Sequence, residues 1–103
     1  MWHSAAKSSD LPKGSGKSLE VAGQRVALFN VDGKYYALAD SCMHRGGPLG
    51  EGHLDGTRVT CPWHAWDFDV KTGECHTMQG AKQKSYPTKI ENDQIFVDLG
   101  TVT

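Results

Sequence analysis

Two pairs of metal-ligating side chains are the sequence feature that most constrains the fold. Cys42 and His44 form a C-x-H pair, and Cys61 and His64 form a C-x-x-H pair that begins after sixteen intervening residues. Cysteine thiolates and histidine imidazoles are common protein ligands of zinc and of iron–sulfur clusters. A fold that uses all four side chains must bring two separate loops to one metal centre.

The rest of the chain is typical of an all-β protein, because no stretch has a helical period and short β-branched or aromatic runs alternate with turn signals. Asp32-Gly33 separates two such runs, residues 25–31 and 34–39, and an Asp-Gly pair in that position favours a two-residue hairpin turn. We interpret Asp55-Gly56 and Asn92-Asp93 in the same way. The short connections predict a small antiparallel sandwich or partial barrel.

Several further segments complete the predicted layout. Residues 2–6 are expected to form an edge strand and residues 11–16 a loop. Residues 66–70 alternate apolar and acidic side chains, as a half-buried strand does. Residues 85–91 and 94–99 are expected to close the chain as a last hairpin.

Length and charge limit the class of protein and the kinds of partner. The chain has 103 residues, which suits one domain. Its formal net charge of −1 argues against a nucleic-acid-binding surface. No apolar run is long enough to span a bilayer, and the first residues lack the basic and apolar regions of a secretory signal. We therefore expect a cytoplasmic monomer with no nucleic-acid or membrane partner, in which thiols stay reduced.

The spacing of the ligand pairs distinguishes two kinds of metal site. Structural zinc prefers ligand pairs separated by a few residues, and the C-x-H pair of Cys42 and His44 is too tight for that arrangement. A binuclear iron–sulfur core removes the difficulty, because each loop then offers one sulfur and one nitrogen to two neighbouring irons. The spacing favours the iron–sulfur core and leaves a zinc-binding interaction module as an alternative.

These motifs resemble those of the Rieske-type ferredoxin family. The match comprises residues 42–49, residues 61–64, Phe68 and Thr72-Gly73, and a looser similarity extends over nearly the whole chain. The implied fold is a single Rieske domain over residues 1–103, built from three layered antiparallel sheets. A cluster-binding subdomain is expected at about residues 40–70.

The resemblance also implies the cofactor and its ligands. The expected cofactor is a [2Fe–2S] cluster of the Rieske type. The resemblance places the two thiolates on the buried iron and the two imidazoles on the iron nearer to solvent. The implied thiolate ligands are Cys42 and Cys61, and the implied imidazole ligands are His44 and His64.

Residues beside the ligands are expected to shape the environment of the cluster. Backbone N–H groups of glycines can approach bridging sulfides closely, so the first-loop glycines are candidate hydrogen-bond donors. We interpret Trp63 and Trp66 as an apolar cover and Arg45 as a residue of the exposed edge. The candidate glycines are Gly46, Gly47, Gly50 and Gly52.

Four departures from the high-potential members of the family predict a low reduction potential. Those proteins carry an extra cysteine in each loop, and the corresponding residues here are Gly47 and Trp63, which cannot form a disulfide. They also carry a serine and a tyrosine whose hydroxyls donate to the cluster, where this chain has Trp66 and Phe68. Fewer donors stabilise the reduced cluster less. We therefore expect a potential at the low end of roughly −150 to +300 mV.

The remaining cysteine and histidines are expected to have no ligand role. Cys75 lies outside both pairs and is interpreted as a structural or free thiol. His53 and His76 are expected to face solvent, and His3 to be an exposed terminal residue. The sequence has no phosphate-binding loop and no Ser–His–Asp set, so a catalytic role is not expected.

The family resemblance implies a stand-alone electron carrier. Such a carrier takes one electron from an NAD(P)H-dependent flavoprotein reductase and passes it to a terminal oxygenase of the aromatic-ring dioxygenase type. Transient docking is expected at the edge that carries His44 and His64. The alternative within redox chemistry is a tightly held small subunit of an assimilatory NAD(P)H nitrite reductase.

Overall fold

A computed structural model of the chain describes residues 2–41, 47–63, 66–77 and 80–99. These ranges contain ten β-strands, two short 3₁₀ helices at Ser8–Asp10 and Leu49–Glu51, and no α-helix, which confirms the all-β prediction. The strands are β1 (Trp2–Lys7), β2 (Ser15–Val21), β3 (Gln24–Val31), β4 (Lys34–Ala39), β5 (His53–Asp55), β6 (Arg58–Thr60), β7 (Asp67–Asp69), β8 (Ser85–Tyr86), β9 (Thr88–Glu91) and β10 (Gln94–Asp98). Among the residues described, no helix has the length and apolar character needed to cross a membrane.

The strands form three sheets in which every pairing is antiparallel. Sheet 1 has the order β1-β10-β9, sheet 2 the order β2-β3-β4-β8, and sheet 3 the order β5-β6-β7. Sheet 3 falls within the segment predicted as a cluster-binding subdomain. The division into one domain with that subdomain stays a prediction.

Sheet 2 lies between two apolar clusters, because alternate residues of β3 face opposite sides of the sheet. Val26 and Leu28 pack in the cluster shared with sheet 1, while Ala27 and Phe29 pack in the cluster shared with sheet 3. All four side chains are fully buried. The layering of the three sheets therefore follows from a strand that is apolar on both faces.

Two of the predicted hairpin turns are confirmed at the residues expected. Asp32 and Gly33 have φ angles of 52° and 90°, and Asn92 and Asp93 have φ angles of 49° and 64°. Positive φ at both central positions is the type I′ pattern, whose twist matches that of the flanking strands. Aspartate, asparagine and glycine tolerate this left-handed region better than other residues do.

The third predicted turn is displaced by one residue. Asp55 pairs with Arg58 in the ladder, so the two loop residues are Gly56 and Thr57 rather than Asp55 and Gly56. Only Gly56, with φ of 62°, has the left-handed backbone that requires a glycine. The Asp-Gly signal therefore locates this hairpin correctly and misplaces its tip.

Other segment boundaries also needed correction. The predicted strand over residues 85–91 is wrong as one element, because it breaks at Pro87 into β8 of sheet 2 and β9 of sheet 1. Proline has no N–H with which to continue a ladder, and here the chain crosses between sheets. The edge strand predicted at residues 2–6 is confirmed, whereas the last two residues of the predicted loop 11–16 belong to β2.

Candidate metal centre

Of the four predicted ligands, the structure describes Cys61. Three ligands and two neighbouring residues lie outside the described ranges: Cys42, His44, His64, Arg45 and Gly46. Within the described ranges, no group of three or more histidine, cysteine, aspartate or glutamate residues is arranged to hold a metal ion. The predicted ligand set therefore stays a prediction. The structure describes Cys61 and the residues that flank the two ligand loops.

Cys61 directly follows β6 and begins the second ligand loop. Its side chain is 1% exposed and packs in the same apolar cluster as Leu49 and Phe68. The backbone N–H of Cys61 donates a 2.8 Å hydrogen bond to the carbonyl oxygen of Trp66, which closes the loop at its base. The sulfur therefore lies in a water-poor environment, on a residue whose backbone is fixed by a hydrogen bond.

The first ligand loop is also closed at its base. Ser41 and Pro48 form an antiparallel bridge, and the backbone N–H of Leu49 donates a 2.8 Å hydrogen bond to the carbonyl oxygen of Asp40. Leu49 is fully buried beneath this closure. Ser41 and Pro48, which flank the first ligand loop, are therefore held next to each other.

Gly47 packs the first loop directly against the second. A Cβ atom added at Gly47 would lie 2.9 Å from Sγ of Cys61, 2.9 Å from Cγ of Trp63 and 3.0 Å from Cβ of Trp63. Distances this short leave no room for a side chain larger than hydrogen. The absence of a Cβ atom at Gly47 is therefore what allows the two loops to meet.

The same contact involves the two positions, Gly47 and Trp63, at which the family resemblance implies a disulfide in high-potential proteins. In a disulfide the two Cβ atoms lie about 3.5–4.5 Å apart, and the Cβ position of Gly47 faces Cβ of Trp63 at 3.0 Å. The positions compared in the sequence thus face each other in space. In this chain Gly47 and Trp63 meet through a packing contact.

These observations fit a [2Fe–2S] group. One sulfur donor is buried at the base of the second loop, and the first loop packs against that sulfur through Gly47. Leu49 and Phe68 belong to the same buried apolar cluster as Cys61. A thiolate in such surroundings suits an iron of the [2Fe–2S] cluster, because soft sulfur ligands favour iron–sulfur clusters.

A buried carboxylate that the sequence analysis missed supports the first loop. Asp40 is 1% exposed, and its Oδ1 accepts hydrogen bonds from Oγ of Ser18 at 2.8 Å and from the backbone N–H of Gly50 at 2.9 Å. Its Oδ2 accepts from Nη2 of Arg25 at 3.0 Å. Every donor is distant in sequence, so the only sequence signal was an acidic residue just before the first ligand.

Two of the four glycines predicted to donate to the cluster have other roles. The N–H of Gly50 donates to Asp40, and the N–H of Gly52 donates to the carbonyl oxygen of Leu49 at 3.0 Å. A Cβ atom at Gly50 would collide with the backbone of β2, and one at Gly52 would collide with the carbonyl oxygen of Thr60. Both glycines are needed for close approach of backbone segments.

The three aromatic residues predicted near the cluster differ in exposure. Phe68 is fully buried and Trp66 is half-buried, whereas Trp63 is 52% exposed. Trp63 contacts Gly47 with the root of its side chain. Its exposure makes it less of a cover than predicted, and the proximity of all three to the cluster stays a prediction.

The remaining cysteine and histidines lie largely as expected. Cys75 is buried in the same cluster as Cys61, and its N–H donates a 2.9 Å hydrogen bond to the carbonyl oxygen of Ala81. His53 and His76 are exposed, as predicted. His3 is only partly exposed, because it lies within β1 rather than in a loose terminal segment.

Comparison with known families and proteins gives consistent matches along the chain. A family model described as Rieske [2Fe-2S] domain matches residues 1–89. The ferredoxin component of the naphthalene 1,2-dioxygenase system of Pseudomonas putida is 35% identical over 99 residues, which is 95% of this chain and 95% of that protein. The 3-phenylpropionate/cinnamic acid dioxygenase ferredoxin subunit of Shigella flexneri serotype 5b is 38% identical over 93 residues, or 88% of this chain and 87% of that one.

A solved structure matches the fold over a similar span. It is a complex of reduced oxygenase and oxidised ferredoxin in carbazole 1,9a-dioxygenase. One chain of that complex superposes with a TM-score of 0.84 and 26% sequence identity, covering 93% of this chain and 91% of its own length. The match therefore spans sheet 3 together with the two larger sheets.

Proposed function

Because the chain belongs to the Rieske [2Fe–2S] family, we propose that it is a one-electron carrier and not an enzyme in its own right. Relatives that match it over most of their length are ferredoxin components of dioxygenase systems. The carrier accepts one electron from an NAD(P)H-dependent flavoprotein reductase and delivers it to a terminal oxygenase of the aromatic-ring dioxygenase type. We also propose that it works in the cytoplasm, where its thiols stay reduced.

The packing of Gly47 against Cys61 and Trp63 is the observation that carries this proposal. It brings together the two loops on which all four proposed ligands stand. We propose that Cys42 and Cys61 hold one iron and that His44 and His64 hold the other. A bound [2Fe–2S] cluster supplies a centre that gains and loses a single electron, and two neutral imidazoles make that gain easier than four thiolates would.

The residues of the chain hold this centre still and keep water from its buried side. Both ligand loops are closed by backbone hydrogen bonds at their necks, so few atoms need to move when the charge changes. Phe68 and Leu49 are buried in the same apolar cluster as Cys61. Neither Phe68 nor Trp66 has a hydroxyl that could donate to the cluster, which supports a potential at the low end of the family range.

We propose that both partners dock on the edge that carries His44 and His64. Two exposed residues of the second loop, Pro62 and Trp63, directly precede His64 and support this placement. A partly exposed aromatic side chain fixed at its root is well suited to anchor a small and transient interface. The same edge can serve reductase and oxygenase in turn, because each complex needs to last only for one electron transfer.

Electron paramagnetic resonance of the dithionite-reduced protein tests the cofactor assignment. We expect a rhombic signal with the low average g value of mixed histidine and cysteine ligation, together with red-brown colour in the oxidised protein. Cys61→Ser should abolish the signal, whereas Cys75→Ser, a matched change in the same apolar cluster, should preserve it. A colourless wild-type protein that contains zinc would refute the proposal.

The partner assignment needs a separate experiment. The reduced carrier is mixed with the oxidised terminal oxygenase of a naphthalene-type system, and single-turnover oxidation is followed by visible absorption. We expect oxidation of the carrier together with reduction of the oxygenase. A carrier that shows the mixed-ligand signal but transfers no electron to such oxygenases would contradict the partner class and leave the cofactor assignment intact.

A further inference from the structure

A buried glutamine stands beside the start of the first ligand loop. Gln83 is 3% exposed, and its Nε2 donates hydrogen bonds to the carbonyl oxygens of Ala39 at 2.7 Å and Ser41 at 2.6 Å. Both hydrogens of the amide nitrogen are therefore engaged. The carbonyl of Ser41 belongs to the peptide bond that leads into Cys42, so this side chain bonds to the backbone at the entrance of the loop.

The Gln83 side chain extends the hydrogen bonding of β4 beyond the point where its backbone pairing with β8 ends. The pairing of β4 with β8 ends at Leu38 and Ser85, and one more hydrogen bond joins the N–H of Ala39 to the carbonyl oxygen of Lys84 at 2.8 Å. Beyond that point the amide of Gln83 supplies the donors that a longer β8 would have supplied. The backbone is therefore held by hydrogen bonds for two residues beyond Ala39, as far as Ser41.

The backbone of Gln83 is hydrogen-bonded to the turn that follows β7, the strand after the second ligand loop. Its N–H donates a 2.7 Å hydrogen bond to the carbonyl oxygen of Gly73, whose own N–H donates to the carbonyl oxygen of Asp69 at 2.7 Å. A Cβ atom at Gly73 would collide with the carbonyl oxygen of Gln83. Because β7 directly follows the second ligand loop, Gln83 connects the far end of that strand with Ser41, the residue before the first ligand loop.

We propose that Gln83 is a positioning residue that fixes the first ligand loop relative to the second and stabilises the reduced state of the centre. This inference rests on the ligand set proposed above. The NH₂ group of Gln83, the positive end of its amide dipole, faces the carbonyl oxygens of Ala39 and Ser41. It therefore offsets the partial negative charge of these two oxygens at the start of the first ligand loop. Without those donors, the two carbonyl groups would lose the amide as a partner, and the site would accept an added electron less readily.

The test compares two substitutions at Gln83 with a matched control. Gln83→Met keeps an unbranched side chain of similar length and removes the amide, while Gln83→Asn keeps the amide and withdraws it by one methylene. Asn30→Leu is the control, because Asn30 is also a buried amide, 4% exposed, that donates to a backbone carbonyl, that of Leu11 at 2.7 Å. Asn30 belongs to β3, outside both ligand loops.

The readouts are the midpoint potential, the g values of the reduced protein and the free energy of unfolding. We expect all three variants to lose stability, and only the Gln83 variants to show a lower potential and altered g values. The equilibrium constant for reduction should fall about two- to tenfold, the range that corresponds to the net free energy of one hydrogen bond. A purely structural role would lower stability and leave potential and g values unchanged.

The outcomes separate this inference from the function on which it rests. A wild-type protein without the mixed-ligand signal would overturn both. A wild-type protein with that signal, together with Gln83 variants that keep its potential and g values, would overturn the role of Gln83 alone. If circular dichroism shows that Gln83→Met does not fold, Gln83→Asn decides the question by the same criterion.

Discussion

The backbone N–H of Gly50 donates a 2.9 Å hydrogen bond to Oδ1 of Asp40, a carboxylate that is 1% exposed. Gly50 lies in the 3₁₀ helix that follows the first ligand loop. Asp40 lies two residues before Cys42, the first proposed ligand of that loop. The bond therefore joins the two ends of the loop from inside the protein. Ser18 and Arg25, on neighbouring strands, donate to the same carboxylate and attach the loop to sheet 2.

Asp40→Ala should destabilise the protein by about 2–4 kcal/mol, because the N–H of Gly50 and the hydroxyl of Ser18 lose a buried acceptor. Arg25 contributes less to this cost, since its side chain is 59% exposed and can be solvated. Urea denaturation measures the change. Asp10→Ala, at an exposed residue of the first 3₁₀ helix, should change the free energy of unfolding by less than about 0.5 kcal/mol. Equal values for the two variants would contradict the buried network.

Gly47→Ala should reduce cluster content, because the added methyl group would sit 2.9 Å from Sγ of Cys61 and force the loops apart. Overpacking of this kind costs about 1–3 kcal/mol. Iron and sulfide analysis with visible absorption measures the loss. The control is Gly23→Ala, where φ of 82° makes alanine unfavourable but no atom lies within 4 Å of the new methyl group. It should lose stability and keep full cluster content; full content in Gly47→Ala would refute the packing argument.

Phe68→Tyr should raise the midpoint potential if the new hydroxyl donates to the cluster. A rise of about 60 mV would correspond to a tenfold change in the equilibrium constant for a one-electron couple. Phe68 is fully buried among the same apolar side chains as Cys61, so a hydroxyl group at this position would have little access to water. Phe96→Tyr, in sheet 1, serves as the control and should leave the potential unchanged. A destabilised Phe68→Tyr protein with an unchanged potential would show that the hydroxyl does not reach the cluster.

Trp63→Ala should weaken the complex with the terminal oxygenase. Loss of a central aromatic anchor costs about 2 kcal/mol, or roughly thirtyfold in Kd. Titration by surface plasmon resonance or calorimetry measures the affinity. The matched control is Trp2→Ala, since Trp2 is 40% exposed but lies in sheet 1, away from the ligand loops in the topology. If both variants lose affinity equally, or neither does, the docking edge has been assigned wrongly.

The stability of the protein should fall at alkaline pH through Tyr86. Burial raises the pKa of the Tyr86 phenol above its ordinary value, so the folded state keeps a proton that the unfolded chain releases at about pH 10. This stabilisation is complete below the unfolded pKa and is lost as the pH rises through the folded pKa. Urea denaturation between about pH 8 and 11 should show wild type losing more stability than Tyr86→Phe. Parallel profiles for the two proteins would contradict the assignment.

Local sequence signals predicted the hairpins well, because the information lies within four residues. Asp32-Gly33 and Asn92-Asp93 have the chemistry that a type I′ turn requires, and the structure places both turns there. The break at Pro87 was also readable, since proline inside a β-rich run marks an edge or an interruption. The β-rich residues on both sides of Pro87 nevertheless favoured a single continuous strand.

The frame of the site could not be predicted in the same way. The ligand motif is compact and its spacing is distinctive, so it pointed to the family. Asp40 and Gln83 act on partners that the motif does not contain: Ser18 lies 22 residues before Asp40, and Ser41 lies 42 residues before Gln83. Buried polar side chains of this kind obey no short-range period, and only the packed sheets bring them to the ligand loops.

The pairing of β1 with β10 has a consequence for the order of folding. Trp2 faces Asp98 across that ladder, so sheet 1 closes only when nearly opposite ends of the described chain meet. Most other pairings, including those of sheet 3, join neighbouring segments, and contacts between neighbours form faster than distant ones. We expect the loops that carry the ligands to acquire their shape while β1 is still undocked, which would let iron–sulfur assembly begin before folding is complete.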